Sequence, residues 1–285
     1  MVPTRHVSKL INGTATSDGA GVSLRRYIAT PQLDMLDPFL LLDMFSSDNP
    51  DDYIAGFPPH PHRGFETVTY LLHGRMRHKD SAGHEGVIRS GGVQWMTAGR
   101  GIEHSEMPEQ EQGLLQGFQL WVNLPAAQKM LAPRYQEIEP QQMPVENSPG
   151  LSVRVIAGET ANGIIGPVRD IAAQPIYFDV TIQANTVFEQ SLPAAHTAFI
   201  FVIDGELEVL SETANSSITR NQLAVLSSGN RLHVKAKTDS RFLLIAGAPF
   251  NEPVARHGPF VMNTREQIEQ AFRDYRDGQF GTIGH

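Results

Sequence analysis

The sequence predicts an all-β protein of two jelly-roll barrels in tandem, with one short helix near the C-terminus. Three observations predict it. Short runs rich in β-branched and aromatic residues recur between Gly, Pro, Asn and Asp; the second half resembles the first; and a single stretch carries a clear helical period.

The strand runs, in chain order, are FETVTYLL from Phe65, GGVQWMTA from Gly91, LLQGFQLWVNL from Leu114, PIYFDVTIQ from Pro175, TAFIFVIDGELEVL from Thr197, NQLAVLSSG from Asn221 and SRFLLIAGAP from Ser240. Each is the length of a strand and ends at a turn residue. Residues 263–276, NTREQIEQAFRDYR, form the predicted helix: Asn263 or Thr264 caps it, Ile268, Ala271, Phe272 and Tyr275 share one face, and Gly278 stops it. A second short helix is expected at PAAQKMLA, 125–132.

The duplication is internal and specific. TVTYLLHGRMRHKD from Thr67 resembles AFIFVIDGELEVLS from Ala198, with Gly74 matching Gly205, and further on GGVQWMT matches NQLAVLS. A repeat of roughly 130 residues is too long for a solenoid and suits two domains. The expected division is an N-terminal domain at 1–134, a Pro/Gln/Glu-rich linker at 135–150 and a C-terminal domain at 151–285.

Composition limits the function. The chain has 285 residues, 40% of them hydrophobic, which is enough for two packed cores. It has no cysteine, so disulfides and thiolate chemistry are excluded and a reducing, cytoplasmic setting is expected. The start of the chain has no apolar leader core, and no apolar run approaches the roughly 20 residues needed to span a bilayer. A net charge of −8, with no basic cluster longer than Arg25–Arg26, argues against direct nucleic-acid binding. A monomer is the default.

Six of the eleven histidines lie between residues 60 and 104. On a strand, residues two apart face the same side, so His60 and His62 in HPH can point inward together, as can His104 and Glu106 in HSE. Two such pairs on neighbouring strands would gather three imidazoles and a carboxylate. That donor set suits one divalent transition metal, Fe(II), Mn, Ni, Co, Cu or Zn. The second half provides the control: it places Ser191 and Pro193 opposite the first pair, and Val234 and Ala236 opposite the second. Residues that serve only the barrel should recur in both copies, and these do not. His73, His78 and His84 are expected to face solvent, His196, His233 and His257 to be structural, Trp95, Phe118 and Trp121 to be core, and Glu109 and Glu111 to be solvated. Arg63 should point away from His62.

LDPFLLLDMF ending at Phe45, GFPPHPHRGFETVTYLLHG from Gly56, GGVQWMTAGRGIEHSEMP from Gly91 and HGPFVMNTREQIEQAF from His257 together resemble the pirin family, from about Val22 to Gly281. The resemblance implies a bicupin with one metal, usually iron, in the N-terminal cupin, held at the positions of His60, His62, His104 and Glu106. Many metal cupins instead take their carboxylate four residues after the second histidine, where Glu66 stands. The pirin pattern therefore assigns Glu106 as ligand and leaves Glu66 as a pocket residue that could orient an imidazole. It implies quercetin 2,3-dioxygenase activity, in which O₂ opens the ring of a flavonol and carbon monoxide leaves with a depside. Glu106 would be the base; Phe57, just before the histidine pair, would either stack on the substrate at the cavity mouth or anchor the loop. The alternative implied by the family is a metal-dependent redox or iron sensor that acts through a regulatory protein partner. A metal-free bicupin scaffold would leave all four ligands idle.

Overall fold

The computed structural model describes residues 4–212, 214–281 and 283. Contacts divide the chain into two units. One holds Thr14–Thr30, Phe39–Pro140 and the segment from Phe250; the other holds the segment ending at Gly13, Pro31–Pro38 and Gln141–Pro249. Each unit is a seven-stranded and a four-stranded antiparallel sheet, and the predicted strand runs all lie in these sheets.

In the first unit the larger sheet carries Phe65–His73 between Val93–Thr97 and Leu115–Asn123. Its smaller sheet runs Phe57–His62, Ile102–Pro108, Arg75–Asp80, Glu85–Arg89. The second unit repeats this order strand for strand, with Thr197–Asp204 in the position of Phe65–His73 and Val187–Ser191 at the edge of the smaller sheet.

The expected division differs from this packing at both ends. Val7–Asn12 pairs with Gln222–Leu226 in the second unit, while Arg134–Ile138, at the edge of the expected linker, pairs with Val93–Thr97 in the first. Val145–Ser148 pairs with Leu151–Ala157, so half of the segment 135–150 is sheet edge. The helix Arg265–Arg276 belongs to the first unit. The expected ends at residues 1 and 285 lie outside the described residues.

Helix formation follows the sequence at its N-terminus. The Thr264 hydroxyl accepts from the Gln267 amide while the Gln267 side chain returns to the Thr264 backbone, a reciprocal cap. The buried face holds Ile268, Ala271 and also Asp274. The second expected helix is reduced to one 3₁₀ turn, Ala126–Gln128, because the chain beyond it is drawn elsewhere: the Leu131 carbonyl accepts from the Arg100 amide and Lys129 is buried.

The two interiors differ in kind. That of the second unit is one continuous apolar cluster, including Phe188, Leu192, Leu232 and Val234. That of the first is broken into small clusters around a polar region. Cross-strand register shows why. Phe57–His62 and Ile102–Pro108 pair with His60 opposite His104, and Gln190 pairs with Leu232 in the matching strands. With Gly74 and Gly205 aligned, His78 pairs with Glu106 and Val209 with Val234. The structural counterparts of His60, His62, His104 and Glu106 are therefore Gln190, Leu192, Leu232 and Val234, one or two residues from those expected. The ligand pattern is absent in either alignment.

Candidate metal centre

Two hydrogen-bonded strands carry the site. His60 and His62 lie on Phe57–His62, and His104 and Glu106 on Ile102–Pro108, with a register shift between His104 and Glu106. The three imidazoles converge: ring centroids are 4.7 Å apart for His60–His62, 4.4 Å for His60–His104 and 4.9 Å for His62–His104. One nitrogen from each falls within 4.8 Å of the others.

The protonation pattern favours donation to a cation. His60 Nδ1 donates to the Pro58 carbonyl at 2.8 Å, which leaves Nε2 as the lone-pair atom, 3.1 Å from His62 Nε2. Burial pushes the His62 and His104 pKa values well below the ordinary range, and the neighbouring imidazoles add to the effect. Both are neutral at physiological pH. Neither ring nitrogen of His104 has a protein hydrogen-bond partner among the described residues. Buried polar atoms are seldom left unpaired. A divalent transition metal fits them, because it would engage lone pairs that the protein leaves unsatisfied.

Glu106 stands beside this group in a bonded frame of its own. Its carboxylate accepts from Thr69 Oγ1 at 2.6 Å and Gln119 Nε2 at 2.8 Å. Burial raises its pKa, while these donors and nearby His60 oppose the rise. The structure brings the three imidazoles together as one group; Glu106 joins His60 and His62 in lining a cavity of about 690 Å³. Phe57, Gln119 and Trp121 line the same cavity, as do Arg256 and Pro259 from the C-terminal segment.

Several expectations change. Glu66 is buried, but its oxygens accept from Thr97 Oγ1 at 2.7 Å and Trp95 Nε1 at 3.1 Å, so it orients those side chains and not an imidazole. Strand parity gave its face but not its partner. His78, expected in solvent, is fully buried with its ring 5.8 Å from His104, because Met76, His78 and Asp80 alternate inward along Arg75–Asp80. His84 and His73 are exposed as expected. Trp121 is a cavity wall and not closed core, with its ring 5.2 Å from His62. Trp95 and Phe118 are core. His196 is buried with Nδ1 unpaired. Thr69 and Gln119 had no signal beyond their inward parity, and the C-terminal contribution had none.

Glu66 yields a pH-dependent prediction. Burial raises its folded pKa to about 7, from 4.5. Between these values the folded state binds more protons than the unfolded state, so stability falls as pH rises through this window. Glu66→Gln should remove that slope and leave the variant more stable at pH 8 by roughly 3–4 kcal/mol, since each tenfold change in proton affinity is worth about 1.4 kcal/mol. Thermal midpoints of both proteins from pH 4.5 to 8 would check this, and parallel curves would refute it.

Comparison with known proteins follows the same lines. Residues 21–122 match the Pirin family and residues 177–281 the Pirin C-terminal cupin domain. A pirin-like protein of Caulobacter vibrioides is 52% identical over 280 residues, covering 98% of this chain and 100% of its own. Human Pirin is 43% identical over 284 residues, 99% of this chain and 96% of its own. The crystal structure of quercetin 2,3-dioxygenase from Acinetobacter baumannii superposes with a TM-score of 0.88 at 34% identity, covering 99% of this chain and 100% of the other.

Proposed function

The chain belongs to the pirin family, and on that premise we propose that it is a metal-dependent dioxygenase that opens the ring of a flavonol such as quercetin with O₂. The observation that carries the reading is the trio of converging imidazoles, two of which, His60 and His62, stand at the wall of a cavity that Phe57 and Trp121 also line. The quercetin 2,3-dioxygenase identity of the Acinetobacter relative supports the same substrate class.

His60, His62 and His104 would hold the ion, with Glu106 as the carboxylate of the set; Fe(II) is the proposed native metal, and Mn, Ni, Co, Cu or Zn suit the same donors. When bound, such an ion supplies Lewis acidity toward a hydroxyl oxygen and redox chemistry toward O₂. The protein supplies the rest. Trp121 and Phe57 offer faces for an aromatic ring, while the cavity holds the reacting edge against the buried histidines. Glu106, with its pKa raised by burial, takes the proton of the flavonol 3-hydroxyl, and Thr69 and Gln119 hold the carboxylate in place. Both atoms of O₂ end in the depside and C3 leaves as carbon monoxide, so no external reductant is consumed.

The test is anaerobic loading with each metal, followed by oxygen uptake and carbon monoxide release with quercetin. The unaltered protein should turn over with at least one metal, and Glu106→Gln should lose about 10²–10⁴ of the rate, the range for general base catalysis. Metal binding without turnover under any metal would overturn the dioxygenase reading and favour the partner-binding sensor.

A further inference from the structure

We infer that the C-terminal segment is part of the metal site, and that Arg63 and Glu103 are positioning residues through which it fixes the two ligand strands. This rests on reading the three imidazoles as a metal site.

The need for such a device lies in the sequence of the first ligand strand. Phe57–His62 is FPPHPH, and Pro58, Pro59 and Pro61 have no amide hydrogen to give a ladder. The strand is also at the edge of its sheet, paired among the described residues only with Ile102–Pro108, through a shifted register. Left to its ladder alone, the strand that carries two of the three imidazoles would be weakly held.

The C-terminal segment supplies the missing restraint from the opposite face. Arg63 directly follows His62 and Glu103 directly precedes His104, so by strand alternation their side chains point away from the imidazoles. Consecutive helix residues receive them. Arg63 Nη1 donates to Asp274 Oδ2 at 2.6 Å, and Tyr275 Oη donates to Glu103 Oε2 at 2.8 Å. Arg63 is 4% exposed, its Nε donates to the Arg100 carbonyl at 2.5 Å, and its guanidinium lies 4.5 Å over the ring of Phe280. The backbone is tied as well: the Arg63 amide donates to Pro259 and the Val261 amide donates to Arg63. A buried, multiply bonded arginine next to one ligand and a bonded glutamate next to another, both answered by one turn of helix, form a clamp across the back of the site.

The experiment uses the full chain and Co(II) as probe, with affinity measured by chelator competition and geometry by the visible d–d absorption. Asp274→Asn and Tyr275→Phe break the two arms of the clamp. Asp179→Asn, which breaks the Asp179–Arg241 pair of the other unit (2.7 Å), is the control for lost stability alone. The clamp predicts that Asp274→Asn weakens Co(II) binding about 10- to 100-fold, the usual effect of losing an outer partner of a ligand, and alters the d–d bands. Tyr275→Phe, which removes a single hydroxyl, should shift affinity and bands in the same direction even if Asp274→Asn does not fold. Asp179→Asn should change the thermal midpoint but neither of those readouts. Clamp variants that bind as the unaltered protein does, or an equal loss in Asp179→Asn, would overturn the inference while leaving the metal site standing. An unaltered protein that takes up no Co(II) would remove the metal reading itself.

Discussion

His104→Leu is expected to abolish tight metal binding and, at the same time, to stabilise the metal-free chain. His104 is 1% exposed and both its ring nitrogens lack protein partners among the described residues. An unpaired buried donor or acceptor costs about 1–3 kcal/mol, and leucine fills a similar volume without that cost. The second unit carries this substitution already, with fully buried Leu232 at the matching position inside a continuous apolar core. A gain of about 1–3 kcal/mol corresponds to roughly 2–12 °C in the midpoint for a unit of this size. Metal affinity should fall by more than about 100-fold, since even outer partners of a ligand are worth 10- to 100-fold. Calorimetry with and without metal reads both effects in one pair of scans. A variant less stable than the metal-free parent would mean that His104 serves packing and not a ligand.

Gly64→Ala is expected to be among the most damaging single-methyl additions in the chain. Gly64 follows the His62–Arg63 pair with φ of +87°, and a Cβ there would sit 1.9 Å from the Val261 carbonyl oxygen and 2.9 Å from Met262 Sδ. The obstacle is backbone, so no rotamer relieves it. The strand Phe260–Met262 would have to move, and with it the Gly64 and Val261 carbonyls that accept from the buried Lys129 ammonium at 2.7 and 3.1 Å. Positive φ alone costs about 1–3 kcal/mol for a residue with a side chain. The clash adds to this, for a total of about 3 kcal/mol or more and a midpoint lower by roughly 6–12 °C. Gly83→Ala separates the two contributions, because Gly83 has φ of +90° and nothing within 4 Å of its Cβ position. It should show the conformational part only. Equal losses in the two variants would show that the close approach at Gly64 costs nothing.

The parts of the fold that were legible in the sequence are those set by local pattern. Alternation in FETVTYLL and SRFLLIAGAP fixed strands and their inward faces, and the same period placed His60 with His62 and His104 with Glu106. The comparison of halves identified which copy carries the clustered histidines even though its register slipped. What local pattern does not set is pairing over distance. Nothing in VSKLIN says that it completes the second barrel, or in RYQEI that it completes the first, because either strand satisfies either edge. Parity likewise gives a face without a partner, so Glu66 was placed inside but not on Trp95 and Thr97. His78 was hidden by its charged neighbours: Arg77 and Lys79 made the run look solvated, whereas Met76 and Asp80 already marked the buried phase. The tie from Asp274 and Tyr275 to Arg63 and Glu103 spans most of the chain and has no local signature.

The central claim is that His60, His62 and His104 hold one metal ion. The most direct measurement is an anaerobic Fe(II) titration of the metal-free chain, with X-ray absorption at the iron edge of the loaded protein. One equivalent bound, with three imidazoles around the iron and uptake lost in His104→Leu, is the predicted result. No saturable uptake, or equal uptake by His104→Leu, would contradict it.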